Sequence, residues 1–183
     1  KSTAQDWPNL KRYAEANAQV DSIYAKENRV VFMGNSITEG WVNSDPDFFT
    51  KNNFIGRGIS GQTTPQMLLR FRQDVIDLKP VAVVILAGTN DIAGNTGPLT
   101  TAQIFDNMVS MVELAEANGI VPIVSSILPA AKYPWKPEVD SVGPILELNT
   151  MLKYYCEGKG LVYLDYFSEM VDDVNGLPKT LSY

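Results

Sequence analysis

Five short runs of apolar and β-branched residues alternate along this chain with stretches of helical periodicity. A strand that is followed by a helix and then by another strand forms a βαβ unit, whose two strands are parallel. The pattern therefore predicts a parallel sheet with helices packed against it. The predicted strands are residues 29–34, 54–59, 81–88, 120–128 and 161–166, and the predicted helices are residues 10–26, 65–78, 104–118 and 145–157.

The third run is almost continuously apolar and does not alternate with polar residues (Val81, Val83, Val84, Ile85 and Leu86). A strand has apolar side chains on both sides when helices cover both faces of its sheet. The expected fold class is therefore α/β, with the three layers of an α/β/α sandwich. A chain of 183 residues that is 45% hydrophobic is typical of one globular unit, so we expect residues 1–183 to form a single domain.

The composition excludes several partners and sites. Fifteen Lys and Arg against 21 Asp and Glu give a net charge of -6, so the chain lacks the basic field that binds a phosphate backbone, and we expect no nucleic-acid partner. No apolar run is long enough for a transmembrane segment. The chain has no histidine and one cysteine, Cys156, so it contains neither a histidine-based metal site nor an internal disulfide. We expect no metal and no cofactor.

Three polar clusters directly follow the first three predicted strands. They are residues 34–40 (GNSITEG), residues 58–64 (GISGQTT) and residues 88–91 (GTND). Ligands of open parallel sheets bind outside the carboxyl ends of the strands. We therefore expect the three clusters to lie together at that edge of the sheet.

Each cluster also has a purely structural interpretation. Ser36 and Glu39 have the spacing of a capping box, which would only begin a helix. Thr63 or Thr64 is suited to N-cap a helix that starts near Pro65, and the third cluster can form an Asx turn. These interpretations remain open for each cluster taken alone.

The second cluster also completes a G-x-G-x-x-G pattern at residues 56–61, which is a fingerprint of dinucleotide binding. The pattern follows the second strand rather than the first. The acidic residues about 20 positions further on, Asp74 and Asp77, lie within a predicted helix rather than at a strand end. Nucleotide binding is therefore the weaker interpretation.

Taken together, the clusters contain the groups that acyl transfer needs. Ser36 stands at the start of a predicted helix, where free N–H groups favour negative charge, and is our candidate nucleophile. The oxyanion of a tetrahedral adduct needs fixed donors. The Ser36 N–H, the Gly61 N–H and the Asn90 side-chain amide are the candidates.

The three clusters, in this order and at these strand ends, resemble the first three blocks of the SGNH hydrolases, the GDSL-type esterase and lipase superfamily. Residues 30–41 resemble the first block, and the sequence is similar to GDSL-like lipases and acylhydrolases of gut-type bacteria. The resemblance implies a flavodoxin-like sheet with strand order 2-1-3-4-5, Ser36 as nucleophile, and Gly61 and Asn90 as oxyanion donors. It also implies a metal-free serine ester hydrolase, acting on a small-molecule ester with a short acyl group on a sugar or a small alcohol.

Two features depart from the family pattern. Asn35 stands where the family usually has aspartate, so one acceptor oxygen remains while a charge is lost. The fourth block, D-x-x-H, is missing, although residues 181–183 look like those that precede it. We therefore expect that the chain lacks this C-terminal block and a closing helix, and that it is impaired as a catalyst. The alternative is a non-catalytic flavodoxin-like binding module, or a hydrolase fold that is inactive without its histidine base.

Weaker expectations concern substrate contacts and location. We expect four further residues to contribute to substrate binding, and the proline-rich stretch 129–144 to form a pocket wall. The N-terminal residues have no apolar core of a signal peptide, which is typical both of an intracellular chain and of one whose signal peptide has been removed. We expect a secreted or periplasmic protein in preference to a cytoplasmic one. The sequence does not indicate an oligomeric state. The four weaker candidates are Asn35, Trp41, Asp91 and Trp135.

Overall fold

The computed structural model describes residues 5–178 and residue 180, and its centre is a five-stranded parallel sheet with strand order β2-β1-β3-β4-β5. This order is the one that the resemblance to the SGNH hydrolases implies, and the fold class is confirmed. All five residues of β3 are buried, as expected for a strand with helices on both faces. The strands are β1 (Val30–Gly34), β2 (Phe54–Gly58), β3 (Ala82–Leu86), β4 (Val121–Ser125) and β5 (Val162–Leu164).

The two faces of the sheet carry different sets of helices. Three long helices bury one apolar stripe each against the first face, where methionine and aliphatic side chains form the main core. The opposite face has a smaller, mainly aromatic core around Phe32, Phe49 and Val84. The first face is covered by α5 (Thr64–Asp74), α7 (Thr101–Ala117) and α8 (Val142–Lys159), and α3 (Ser36–Ser44) and α4 (Pro46–Lys51) pack on β2 from the other side.

The region between β1 and β2 differs from the prediction because it contains two helices. Asn35 and Asp45 cap them, since each side chain accepts a hydrogen bond from a backbone N–H in the first turn. Pro46 follows Asp45 at the first helical position, where a missing N–H removes no helical bond. The Asp45–Pro46 pair is therefore a signal for the start of a helix, and it was not among the features predicted from the sequence.

The prediction of one continuous helix over residues 10–26 is wrong. Residues of this stretch form turns and two short helices, α1 (Ala14–Ala18) and α2 (Val20–Ile23). No side chain of α1 is buried, so the stretch has no apolar stripe to hold one long helix on the core. Helix α8, by contrast, begins earlier than predicted, within the stretch 129–144, because Pro144 falls in its first turn.

The N-terminal segment is fastened to the rest of the fold by glutamine side chains. Three side-chain amides of residues in and just before α5 donate to backbone carbonyls of this segment, over sequence separations of more than 50 residues. The bonds run from Gln62 to Pro8 at 2.8 Å, from Gln66 to Trp7 at 2.8 Å and from Gln73 to Leu10 at 2.6 Å.

Strands β4 and β5 are less well covered on the aromatic side of the sheet. Ile123 and Leu164 are only partly buried there, and Val121 and Val162 are more than half exposed. The expected closing helix remains a prediction, and residues 181–183 lie outside the described residues.

Among the helices of the described ranges, none has the length and apolar character to cross a membrane. The remaining elements are a 3₁₀ turn (Ile76–Leu78), α6 (Thr89–Ile92) and α9 (Tyr166–Met170).

Candidate active site

Ser36 lies at the carboxyl edge of the sheet, as the first residue of α3, and is exposed to solvent. The residue before it, Asn35, is the N-cap, and its Oδ1 accepts a hydrogen bond from the Ile37 N–H at 3.0 Å. The local bond expected for an aspartate at this position is therefore kept by asparagine. The Nδ2 of Asn35 is buried and has no hydrogen-bond partner among the described residues.

The capping box between Ser36 and Glu39 does not form. The Glu39 carboxylate instead accepts hydrogen bonds from the N–H and hydroxyl of Ser60, and it forms an ion pair with Arg12 at 2.9 Å. Burial opposes ionisation of Glu39, but the bonds from Ser60 and Arg12 outweigh it, so the pKa of Glu39 is lowered. Glu39 therefore ties the start of α3 to the second polar cluster as an anion.

The end of β2 packs directly on the start of α3. A Cβ added at Gly58 would lie 2.3 Å from the Glu39 nitrogen and 2.6 Å from the Asn35 carbonyl oxygen, so only glycine fits. Gly61 is different, because a Cβ there would meet no atom within 4 Å, while its φ of +77° is a conformation that glycine adopts without strain. The backbone turn, rather than a lack of space, requires Gly61.

The third cluster forms α6, so Asn90 and Asp91 belong to a short helix rather than to an Asx turn. Asn90 is buried, and its Nδ2 donates to the Gln62 carbonyl oxygen at 2.9 Å. A primary amide has two N–H bonds, and this contact uses one of them. The contact places the Asn90 amide directly beside the Gly61–Gln62 turn.

Asp91 connects the third polar cluster to α5, the helix that begins at the end of the second cluster. It is 1% exposed, and its carboxylate accepts hydrogen bonds from the Thr64 hydroxyl and from the Thr64 N–H, the latter at 2.9 Å. Burial raises the pKa of Asp91 to about 6, although the bonds from Thr64 favour the anion. Thr63 N-caps that helix, as one of the structural interpretations predicts.

The two tryptophan candidates lie in different surroundings. Trp41 belongs to the aromatic core, where it stacks on Phe48 with ring centroids 5.0 Å apart. Trp135 is 54% exposed, and its Nε1 donates to the Asn95 Oδ1 at 3.4 Å. Because Asn95 in turn donates to the Gly61 carbonyl oxygen at 3.2 Å, Trp135 lies close to the Gly61 turn.

The stretch 129–144 also borders a cavity of about 340 Å³ next to α6. This volume is in the range of pockets for small molecules. Tyr133 anchors the stretch, since it is buried and its hydroxyl is 3.0 Å from the Thr89 hydroxyl. The cavity is lined by Asp91, Ile92, Ala93, Gly94, Gly97, Pro98, Leu99, Lys136 and Val139.

Sequence reasoning missed Arg70, a fully buried cation of α5 that donates hydrogen bonds to the ends of β1 and β2 and to Gln62 in the Gly61 turn. Its only sequence signal is the spacing of four residues to Asp74, which usually indicates an exposed ion pair on a helix surface. The pairing is instead fully buried, with Nη1 3.0 Å from Asp74 Oδ2. Asp74 is thus engaged by Arg70 and does not have the role of a ribose-binding acid.

The structure therefore brings together the segments that carry Ser36, Gly61 and Asn90, and it buries Asp91 against one of them. Over the described residues, no cluster of three or more potential metal-ligating side chains is present. Two carboxylates near the end of β5 are occupied locally: Asp165 caps α9, and Asp172 closes a turn with Gly176.

Comparison with solved structures gives close matches in both fold and sequence. A GDSL-like lipase from Bacteroides thetaiotaomicron VPI-5482 is 48% identical, with a TM-score of 0.93 over 97% of this chain and 88% of that one. A protein from Bacteroides fragilis NCTC 9343, assigned to the acylhydrolases, is 50% identical, with a TM-score of 0.94 over 98% of this chain and 87% of that one.

A curated relative, the uncharacterized lipoprotein YqeF of Bacillus subtilis (strain 168), is 40% identical over 80 residues, or 42% of this chain. The match spans 33% of that relative's length. The family model of the GDSL-like lipase/acylhydrolase family matches residues 32–182. Since this match includes all three polar clusters and most of the sheet, the chain belongs to the GDSL-like lipase/acylhydrolase family, whose members are hydrolases of ester substrates.

Proposed function

We propose that this ester hydrolase cleaves short acyl carboxylic esters, with Ser36 as the nucleophile and with Gly61 and Asn90 as oxyanion donors. The observation that carries the proposal is the hydrogen bond from the Asn90 amide to the Gln62 carbonyl oxygen. It fixes a side-chain donor next to the Gly61 turn, at the sheet edge where Ser36 begins α3. In this proposal, the nucleophile and the donors come from three segments that begin at the same edge of the sheet.

The chemistry follows from this arrangement. The Ser36 oxygen forms a bond to the ester carbonyl carbon, and the carbonyl oxygen becomes an oxyanion that accepts hydrogen bonds from the Gly61 N–H and the Asn90 amide. Collapse of the adduct breaks the bond to the alcohol and leaves an acyl group on Ser36, which water then removes. The nine-residue α3 adds the positive end of its dipole near the reacting oxygen.

The proton of Ser36 needs an acceptor, and the 183 residues contain no histidine. A carboxylate with an ordinary pKa is a poor base for a serine hydroxyl. We therefore expect slow turnover of this chain with activated esters, and faster turnover if residues encoded beyond position 183 supply the D-x-x-H block. Catalysis without a complete triad remains about 10³–10⁴-fold above the uncatalysed rate in serine proteases.

Sugar-linked or small-alcohol esters suit the surroundings of the site. Trp135 presents an exposed ring near the Gly61 turn. Trp41 is better explained as part of the aromatic core. Asn35 and Asp91 act within this proposal by holding the segments of the site, since both are buried.

The test is hydrolysis of p-nitrophenyl acetate by the chain and by a form extended with the following encoded residues. Ser36→Ala should lower kcat at least 100-fold, whereas Ser44→Ala, at the other end of the same helix, should leave it unchanged. A fluorophosphonate should label Ser36 only. Turnover that survives Ser36→Ala contradicts the nucleophile assignment. If neither form turns over ester or reacts with the fluorophosphonate, the chain is a non-catalytic binding module.

We also propose that the protein acts outside the cytoplasm. The support is the lipoprotein name of the Bacillus subtilis relative. Fractionation of cells that express the gene with its native start should place the protein in the envelope or the medium. Recovery in the cytoplasmic fraction alone contradicts this proposal.

A further inference from the structure

Arg70 is 0% exposed and donates hydrogen bonds to four acceptors from different parts of the fold. A buried guanidinium needs such partners, because an unpaired charge inside a protein is very costly. Its acceptors lie at the end of β1, in β2, in the Gly61 turn and on α5 itself. They are the Gly34 carbonyl at 3.0 Å, the Arg57 carbonyl at 2.9 Å, the Gln62 Oε1 at 2.6 Å and the Asp74 Oδ2 at 3.0 Å.

Gln62 is the member of this set that reaches the proposed oxyanion donors. Its side-chain oxygen accepts from Arg70, and its side-chain nitrogen donates to the Pro8 carbonyl at 2.8 Å. Its backbone carbonyl accepts from the Asn90 amide at 2.9 Å. Gln62 is thus fixed at three points and links the buried cation to the two donors.

We propose that Arg70 acts through Gln62 as a positioning residue for the oxyanion site. It holds the turn that carries the Gly61 N–H and the carbonyl that orients the Asn90 amide. This inference rests on the proposed function, which supplies the roles of Gly61 and Asn90. It assigns to Arg70 no contact with the substrate.

The geometry explains why arginine is needed at this place. Its planar group has five N–H donors in fixed directions, so it binds β1, β2 and the turn at once. The ammonium of lysine has three donors around one atom and cannot span these acceptors. Asp74 balances the charge, and it also accepts from the Asn17 Nδ2 at 2.7 Å.

Contacts at Gly34 extend the effect to the nucleophile. The Gly34 carbonyl lies two residues before Ser36, and it accepts hydrogen bonds from Arg70 and, at 3.2 Å, from the Ile59 N–H. Arg70 therefore bonds both the strand that precedes Ser36 and the turn that carries Gly61, in addition to the Ile59 backbone bond and the bonds between Glu39 and Ser60. Displacements of about 1 Å are enough to lower rates strongly in preorganised sites.

The decisive variant is Gln62→Met, which cuts the link between Arg70 and the turn. Arg70 keeps Asp74 and two carbonyls in this variant, so no buried charge is left unpaired. The matched control is Gln73→Met, since the Gln73 amide donates to the N-terminal segment and, at 3.3 Å, to the Asp74 Oδ1, but has no contact with the turn. Kinetics with p-nitrophenyl acetate should show kcat lowered at least tenfold in Gln62→Met, with KM within about twofold, and unchanged kcat in Gln73→Met.

A second readout does not depend on activity. In ¹H–¹⁵N spectra, the side-chain amide signals of Asn90 and the backbone signal of Gly61 should shift in Gln62→Met and stay in place in Gln73→Met. Unshifted signals, or a kcat that falls equally in both variants or in neither, would overturn the positioning role. If the signals shift only in Gln62→Met but the wild-type chain has no Ser36-dependent turnover, the positioning stands and the proposed function fails.

Discussion

Two of the buried arginines, Arg29 and Arg70, lie at opposite ends of the sheet and hold the chain in different ways. Arg70, at the carboxyl end, has a counterion that is itself 0% exposed, whereas the counterion of Arg29, at the amino end, is Asp21, a side chain that is mostly in water. The other partners of Arg29 are backbone carbonyls of the connections below the sheet. The partners of Arg70 belong to the segments that carry the site.

The difference separates two uses of the same side chain. At the amino end, a buried guanidinium satisfies carbonyls that no helix or strand would satisfy, which stabilises the connections. At the carboxyl end, a buried ion pair is added, which gives little net stability but fixes several loops in one geometry. We therefore expect both ends to be sensitive to mutation, and only the carboxyl end to couple stability to the site.

The largest expected effect is that of Arg70→Met. This variant leaves Asp74 buried without its partner, so the free energy of unfolding should fall by about 3–5 kcal/mol. Urea unfolding followed by circular dichroism measures the loss.

The control is the double variant Arg70→Met with Asp74→Leu. It removes both charges and should recover part of the stability, because no buried carboxylate is left unpaired. A loss below about 1 kcal/mol in the single variant would mean that water reaches this pair and that the two ends of the sheet are alike.

A pH dependence carried by Asp91 should also distinguish the two ends. Its pKa is raised from 3.8 to about 6 in the fold, so the folded state binds the proton more tightly than the unfolded chain. The stability due to Asp91 is then fully present below about pH 4 and is lost as the pH rises through 6, by about 3 kcal/mol in all. Asp91→Asn should abolish this component.

Urea unfolding of the wild type and of Asp91→Asn at pH 4 and pH 7 measures the effect as a difference between the two proteins. Asp106→Asn, at an exposed position of α7, serves as the matched control. If the difference in the free energy of unfolding between the wild type and Asp91→Asn is the same at both pH values, the raised pKa of Asp91 is contradicted. Asp21, the counterion at the amino end, should give a pH dependence of stability in the opposite direction, because Arg29 and Lys26 lower its pKa.

The smallest of the three effects is expected for Arg29→Met. The variant leaves the Leu78 and Tyr24 carbonyls without their donor, whereas the Ala25 carbonyl keeps a hydrogen bond from the Asn53 Nδ2. No buried carboxylate loses a partner, so the loss in the free energy of unfolding should be about 2 kcal/mol. Asp21→Asn, which removes only the exposed partner, should cost less than Arg29→Met. Ester turnover should stay at the wild-type level in both variants, and a fall in kcat would mean that the amino end is coupled to the site as well.

Much of this fold could be predicted because the strands are short apolar runs that are bounded by turn residues. The continuous apolar character of β3 correctly indicated helices on both faces. The three polar clusters were predictable as neighbours, since parallel strands bring their carboxyl ends to one edge.

What the sequence did not predict depends on contacts between distant residues. Residues 10–26 read as one helix, yet glutamine side chains from around α5 hold this region in turns and short helices. Arg70 reads as an exposed charge of an amphipathic helix. Only the packing of α5 under the ends of β1 and β2 shows that this charge is buried.

The strand order also sets the sequence of events during folding. β1 is an interior strand that pairs with β2 and β3, yet these strands follow it in the chain by about 24 and 52 residues, from the register of Val30 with Phe54 and Ala82. Both edges of β1 therefore stay unpaired until the later strands have been synthesised, and contacts of long range form slowly. Chaperone binding and aggregation of nascent chains should consequently centre on residues 30–34, which lead directly to Ser36.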